Sequence, residues 1–364
     1  MSSKREGKRM KKGLKIFLSV LLSFIVIIAG YIAYVFISYH RIEDNLSLEP
    51  ENKGTAASEV ATGTSYSIIT YNIGFCAYTP EFSFFMDGGE SSWAESEDSV
   101  IKDADDIGNF LKGKDTDFYF LQEVDTDGTR SYHVNEYQRI MDITGDGSYI
   151  FAQNFDSPFL FWPVYQPHGS NQSGIVTYSF AEPDSSIRRS LPVSESVTRI
   201  VDLDRCYSIT KIPTDNGRYL CLYNLHLSAY GTDASVREGQ TSMLFSDMAE
   251  DYAAGNYVIV GGDFNHDLRD EDTSEFPAWA QSFPVEDLPE GFTLAFNVCE
   301  GECDLTSNSC RDTEYAYDPG ATFTVLLDGF IVSDNVTVDN YENLGLDYIY
   351  SDHNPVYMEF TLNP

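Results

Sequence analysis

Hydrophobic and polar positions divide the chain into three regimes. The first is an apolar run from Ile16 to Tyr39, 24 residues without a charge. At about 1.5 Å per helical residue it reaches roughly 36 Å, more than the ~30 Å hydrocarbon core of a bilayer. The second, residues 42–64, is polar, small and nearly free of large apolar side chains, which predicts a flexible tether. The third begins at Ser65 and alternates. Tyr66-Ser-Ile-Ile-Thr-Tyr-Asn72 has period two, predicting a strand that ends with Asn72 on the face of Ile68 and Thr70. Comparable runs predict strands over 118–124, 174–179, 206–212, 219–227, 257–260, 324–332 and 355–361. Val100, Ile101, Ala104, Ile107, Phe110 and Leu111 recur at helical spacing, so a helix is expected over 98–111 and another near 234–252. Residues 76–94 are aromatic and Gly-rich without a period, which predicts a long loop.

The flank of the first run decides its reading. Lys4, Arg5, Lys8, Arg9, Lys11, Lys12 and Lys15 precede it, and its exit, Val35-Phe-Ile-Ser-Tyr-His40, is bulky. A cleaved signal peptide has an apolar region of only about 7–15 residues and a small-residue cleavage site. The expectation is therefore an uncleaved signal anchor over 16–39 behind a basic cytoplasmic segment, 1–15. The positive-inside rule then exports residues 65–364 as one extracellular domain on a single-pass cell-membrane anchor, through the linker 42–64.

Charge and cysteines narrow the partners. Residues 1–41 hold eight Lys/Arg and one Glu, so the 15 basic and 56 acidic residues that follow give a net −41. A field of that sign repels polyanions, disfavours nucleic acid and suits multivalent cations. Cys206 and Cys221 flank a hairpin turn at Asp215-Asn-Gly217, and Cys299, Cys303 and Cys310 cluster further on; Cys76 stands apart. Cys206–Cys221 and one pair within 299–310 are the candidate disulfides, with buried free thiols as the alternative. Nothing in the sequence identifies a protein partner.

The candidate chemistry lies at the ends of the predicted strands. Thr70-Tyr-Asn72, Leu121-Gln-Glu123, Asn224-Leu-His226, Gly262-Asp-Phe-Asn265, Asp328 and Ser351-Asp-His353 form an ordered series across residues 66–361. Glu123 interrupts an apolar strand, where a carboxylate is costly unless paired or holding a metal. The order N, QE, NxH, GDFN, D, SDH resembles the endonuclease/exonuclease/phosphatase superfamily, which includes deoxyribonucleases, inositol polyphosphate 5-phosphatases and neutral sphingomyelinases.

That resemblance implies an α/β fold, a two-sheet sandwich in four layers, α-β-β-α, behind the transmembrane helix. It implies a phosphoester hydrolase using Mg²⁺, with Mn²⁺ or Ca²⁺ as alternatives. Glu123, Asp352 and the carbonyl of Asn72 would be the metal ligands. Asp263 would orient and deprotonate the attacking water, and Asn265 would hold that water or the phosphate. Asn224 and His226 would face the phosphate, and Asp328 would orient His353. "PHGSNQSGI" lies where the superfamily often carries a substrate-side loop, which makes His168 and Asn171 candidate substrate contacts. Phe82, Phe84, Phe85 and Trp93 in the 76–94 loop suit either an apolar substrate or the core. The expected substrate is a lipid-type or small organic phosphoester at the membrane. An extracellular nuclease is the alternative, and an inactive binding module of the same fold the third reading.

Overall fold

A computed structural model describes the chain except residues 1, 195, 197, 198, 200, 201, 229–233, 270–275 and 278, and of residues 2–10 it describes only the backbone. Among the described residues, four α-helices accompany two large sheets: α1 (Ser2–Ser38), α2 (Glu97–Lys114), α3 (Glu136–Thr144) and α4 (Ala234–Ala253). The eight-stranded sheet has the parallel pair Ser65–Asn72 and Phe118–Gly128 at its centre, and the seven-stranded sheet has the parallel pair Tyr219–His226 and Tyr257–Asp263. Parallel neighbours bring their C-terminal ends to one edge, and here both pairs deliver them to the same rim.

Period-two alternation builds the layers. Ile68, Phe118, Phe120, Leu220, Leu222, Ile259, Phe330 and Met358 form the core between the sheets. Their sequence neighbours Ile69, Tyr119 and Leu121 turn outward onto α2 and α3, while Cys221, Tyr223, Val258 and Ile331 turn onto α4. Each fully buried phenylalanine in the central layer is worth about 1.5–3 kcal/mol. The start of α2 is set by Ser96, which forms a capping box with Ser99, and its end by Asp115 in the left-handed region at φ 51°. The expected strand 324–332 is two strands, Thr324–Val325 and Asp328–Ser333. Helix α3 and the strands Gly147–Asp156, Ser185–Ser190 and Val336–Asn343 add to the predicted set.

Two expectations are corrected. The segment 42–64 is not a free tether: Leu46–Ser47 and Glu51–Lys53 pair with the outer strands of the two sheets, and Val60 is buried in the central core. Edge strands of two or three residues satisfy open backbone groups but are too short to show alternation. The start of this segment is latched to the domain. Arg41 pairs with Asp204 at 2.7 Å, Ile42 N–H donates to Asp204 at 2.6 Å, and the buried Arg188 donates to the carbonyl of Glu43. The Cys206–Cys221 disulfide is excluded by register, because Cys221 lies opposite Lys211 and Cys206 opposite Ser190 on the other side. All six cysteines are free thiols; Cys299 and Cys303 neighbour each other, and Cys310 is buried beside His353.

Candidate active site

Alternation carries Asn72, Gln122, Asn224, His226, Asp263 and Asp328 onto the faces that look between the sheets, each continuing the row of inner residues in its strand. Glu123 should point outward by the same rule. Instead the register shifts between Leu121 and Val124, and Glu123 takes φ 56°, so a β-bulge turns it to the rim beside Gln122. Asp263 and Asp328 face each other across an antiparallel pair.

The buried groups converge on Asp263. Its Oδ2 accepts from Asn72 Nδ2 at 3.0 Å and lies 3.5 Å from His226 Nε2 and 3.8 Å from His353 Nε2. Its Oδ1 accepts the backbone N–H of Asn265 at 2.8 Å, where Asn265 sits at φ 52°. His353 Nδ1 meets Asp328 Oδ2 at 2.7 Å, and Asp328 is fixed in turn by Ser309 Oγ, which accepts its backbone N–H. On the other side, Glu123 Oε1 accepts from Asn72 Nδ2 at 3.2 Å, and Ser351 Oγ bridges the Asn72 carbonyl and Asp352.

Comparison with known proteins places this arrangement. A sequence profile of the Endonuclease/Exonuclease/phosphatase family matches residues 69–355. The chain belongs to this family. No curated protein matches it significantly by sequence. Among solved structures, a Bacteroides vulgatus endonuclease/exonuclease/phosphatase is similar at 16% identity and TM-score 0.55, covering 82% of this chain and 100% of that one. A Beutenbergia cavernae member gives 15% identity and TM-score 0.57, with 82% and 72% covered. A Bacteroides thetaiotaomicron mannosyl-6-phosphatase gives 16% identity and TM-score 0.53, with 82% and 100% covered. At these identities the structural likeness speaks for the fold.

Within the endonuclease/exonuclease/phosphatase frame, several expected positions have other surroundings than the sequence suggested. Asn72 turns its amide nitrogen toward Glu123 and Asp263, because its Oδ1 is committed to the Gly74 N–H at 3.0 Å. In this arrangement it is a donor between two carboxylates. Asn224 is fully buried, its Oδ1 accepting from Gln122 and its Nδ2 donating to the Val176 carbonyl, so it braces the sheets behind the site. Asn171 spends its amide on the His168 carbonyl and the Arg130 N–H, and His168 contacts Ser92 Oγ at 3.0 Å. Both tie loops together. Phe82, Phe84 and Phe85 pack with Phe75, Tyr78 and His168, and Trp93 donates to the Pro167 carbonyl.

A buried network that the sequence reading missed lies behind the Glu123 bulge. Arg130 grips Asp125 through two hydrogen bonds of 2.7 and 3.0 Å and stacks 3.8 Å from the Phe75 ring; Glu136 accepts the Asp125 N–H at 2.9 Å. The clue was available in the charges themselves, since Asp125 follows an apolar strand and must be paired if buried.

Electrostatics separates two sets of groups. Burial alone would strip the proton from His353, but Asp328, Cys310 and Asp263 together raise its pKa well above the usual histidine range. His226 is driven well below that range by burial, with Arg205 and His353 adding to it. Burial also pushes Asp263 up to about 6 and Asp352 to about 7; the Glu123 charge adds to the second. Burial lowers His168 to about 4. Asp263, Asp328 and His353 hold potential ligand atoms within 4.8 Å of one another. An imidazolium cannot ligate, however, and His353 is already bound to Asp328. The better oxygen set for a hard cation is Glu123 with Asp352. Both are carboxylates, Glu123 is 23% exposed, and among the described residues neither forms an ion pair with Lys or Arg.

Proposed function

We propose that the chain is a membrane-anchored, outward-facing hydrolase of phosphoesters that works with a divalent cation, Mg²⁺ first, at Glu123 and Asp352. The observation that carries this reading is the convergence of Asn72, His226 and His353 on one carboxylate, Asp263, beside a second pair of carboxylates that form no ion pair with Lys or Arg among the described residues. Bound there, the cation would supply Lewis-acid neutralisation of a phosphate oxygen. The chain's own residues supply the rest. Asp263, with its raised pKa, accepts a proton from the attacking water near neutral pH, and Asn265 keeps that carboxylate in place through its backbone N–H. His226 stays neutral, and Nε2 is the ring nitrogen it turns to the site. Asp328 holds Nδ1 of His353, so the other N–H of the imidazolium faces developing negative charge on the phosphate.

The favoured substrate is a lipid-type or small organic phosphoester. Support comes from α1, whose Lys11–Ser38 stretch is long and apolar enough to cross a membrane by length and composition. It comes also from the net −41 of the remaining chain, which disfavours long polyanions. A sugar phosphate such as the Bacteroides thetaiotaomicron relative's name describes falls in the same small-ester class. The test is to assay the full chain in detergent on phospholipids, sugar phosphates, DNA and RNA, with and without chelator. Turnover of a lipid or small ester that vanishes with chelator is expected. Chelator-resistant turnover would remove the cation assignment, and DNA cleavage with steep salt dependence would favour the nuclease.

A further inference from the structure

Among the described residues, those between the strands Gly147–Asp156 and Asn171–Ser179 carry a run of aromatic side chains left in solvent. Phe159, Phe161, Trp162, Val164 and Tyr165 are 38, 54, 68, 62 and 71% exposed. No Asp, Glu, Lys or Arg occurs from 157 to 170, in a chain otherwise rich in acidic residues. The segment is tied rather than slack. Leu160 and Gly169 exchange backbone hydrogen bonds, and His168 and Gln166 close the tip onto the carbonyls of Trp162 and Pro163. An ordered protrusion with an apolar, uncharged tip has no use for water, and patches of this kind mark contact surfaces.

Its position selects the partner. Phe161 N–H donates to Tyr31 Oη at 2.9 Å, Tyr31 Oη donates to the Phe159 carbonyl, and Phe159 N–H donates to Tyr34 Oη at 3.1 Å. The protrusion therefore lies against α1 near the end of its apolar stretch. About 20 helical residues cross the hydrocarbon core, so a span entered at Ile16 leaves it close to residue 35, next to these tyrosines. Trp and Tyr concentrate at that depth, where an apolar ring meets a polar rim. The latch at Arg41, Ile42 and Glu43 holds the domain at the same end of the helix. Tyr165 and Gln166 reach the 76–94 loop through Glu90 and Ser92, and from there Phe84 and Tyr78 lead inward to the carboxylates, Tyr78 feeling the charges of Asp352 and Glu123.

We propose that the 158–166 protrusion is a second membrane contact, seating its aromatic tip in the interface of a phospholipid bilayer beside α1. This rests on the reading of α1 as a membrane anchor. The protrusion turns the catalytic rim toward lipid head groups and makes a phosphoester resident in the bilayer the accessible substrate class.

The experiment uses the full chain in vesicles of phosphatidylcholine carrying bromine on the acyl chains, with tryptophan emission as the readout. Of the three tryptophans, Trp93 and Trp279 are partly buried inside the domain, so Trp162 should supply most of the quenching by bromine. Trp162→Phe should abolish the larger part of it, and Phe161→Ser with Val164→Ser should reduce it while the melting curve holds. Alkaline carbonate extraction of the same vesicles reports the anchor separately. If the chain resists extraction but Trp162→Phe leaves quenching unchanged, the protrusion does not meet lipid and the proposal fails while the anchor stands; a protein partner in place of lipid would give this result. If carbonate strips the chain from the vesicles, both readings fall.

Discussion

Asp263, Asp328 and His353 are 1, 0 and 5% exposed and already joined by hydrogen bonds or close contacts, whereas Glu123 and Asp352 are only partly covered and take their side-chain hydrogen bonds from the neutral Asn72 and Ser351. The first group is assembled by the fold, and its protonation is set by neighbours that cannot leave. The second is two carboxyls brought together; burial, with the Glu123 charge adding to it, keeps the Asp352 proton on up to about pH 7, and on the proposed reading a cation would relieve that cost. On the proposed function, a site built this way would separate proton handling from charge neutralisation, and the two should respond differently to mutation, metal and pH.

The largest contrast is expected in turnover. Asp263→Asn should cost about 10²–10⁴-fold, the range of a positioned acid–base group, with no recovery at saturating Mg²⁺. His353→Ala should lie in the same range and exceed Asp328→Asn. Because the Asp328 carboxylate acts through the imidazole, the double variant should be little worse than His353→Ala alone. Additive losses in initial rates, from variants with unchanged melting curves, would separate the two residues and break the contrast at its firmer half.

Next in size is the response to metal. Glu123→Gln should raise the Mg²⁺ concentration for half-maximal rate by about tenfold or more, corresponding to roughly 1.4 kcal/mol, and should regain part of its rate as Mg²⁺ rises. A Mg²⁺ titration that moves equally for Glu123→Gln and Asp263→Asn would dissolve the distinction.

A smaller effect concerns stability and its sign. Asp352 has its folded pKa raised to about 7 from the ordinary 3.8. Between those values the folded chain holds a proton that the unfolded chain releases, so stability falls as pH rises through this window. Asp352→Asn carries no such group. Metal-free melting temperatures of the two should agree near pH 4 and diverge toward pH 8, the variant being higher, by about 2–4 °C per kcal/mol. Mg²⁺ should close the gap. A gap that is widest at pH 4 would contradict the burial of this carboxyl.

The smallest effect belongs to His168. If it only ties loops, His168→Phe should lose about 1 kcal/mol of stability with its Ser92 contact and leave KM and kcat nearly as they were. A marked rise in KM would return it to the substrate side.

Much of this arrangement is legible in the chain, for a simple reason. Alternation fixes which way a strand residue points, so Asn72, His226, Asp263 and Asp328 could be put on inner faces from Ile68, Leu222, Ile259 and Phe330. What alternation cannot convey is the state of a side chain once it arrives. The orientation of the Asn72 amide depends on the Gly74 N–H two residues on, and Asn224 is consumed by Gln122 and Val176, partners remote in sequence. The Glu123 bulge breaks the period at the one position where the period would mislead. Aromatic content likewise marks residues 76–94, although most of their rings pack on one another, while the exposed ones at 159–165 lie in a stretch without any periodic signal.

The latch at Arg41 and Glu43 changes how an anchored enzyme would search for its substrate. A free 23-residue tether would let the domain roam about 25 Å from its anchor, sampling a volume of solution. With residues 42–64 pinned to the sheets, the rim of such an anchored enzyme would keep a constant height and sweep only an area. On the membrane reading, encounter frequency then follows lateral diffusion and surface density in the plane, so diluting the surrounding medium should leave the rate on a co-embedded ester unchanged.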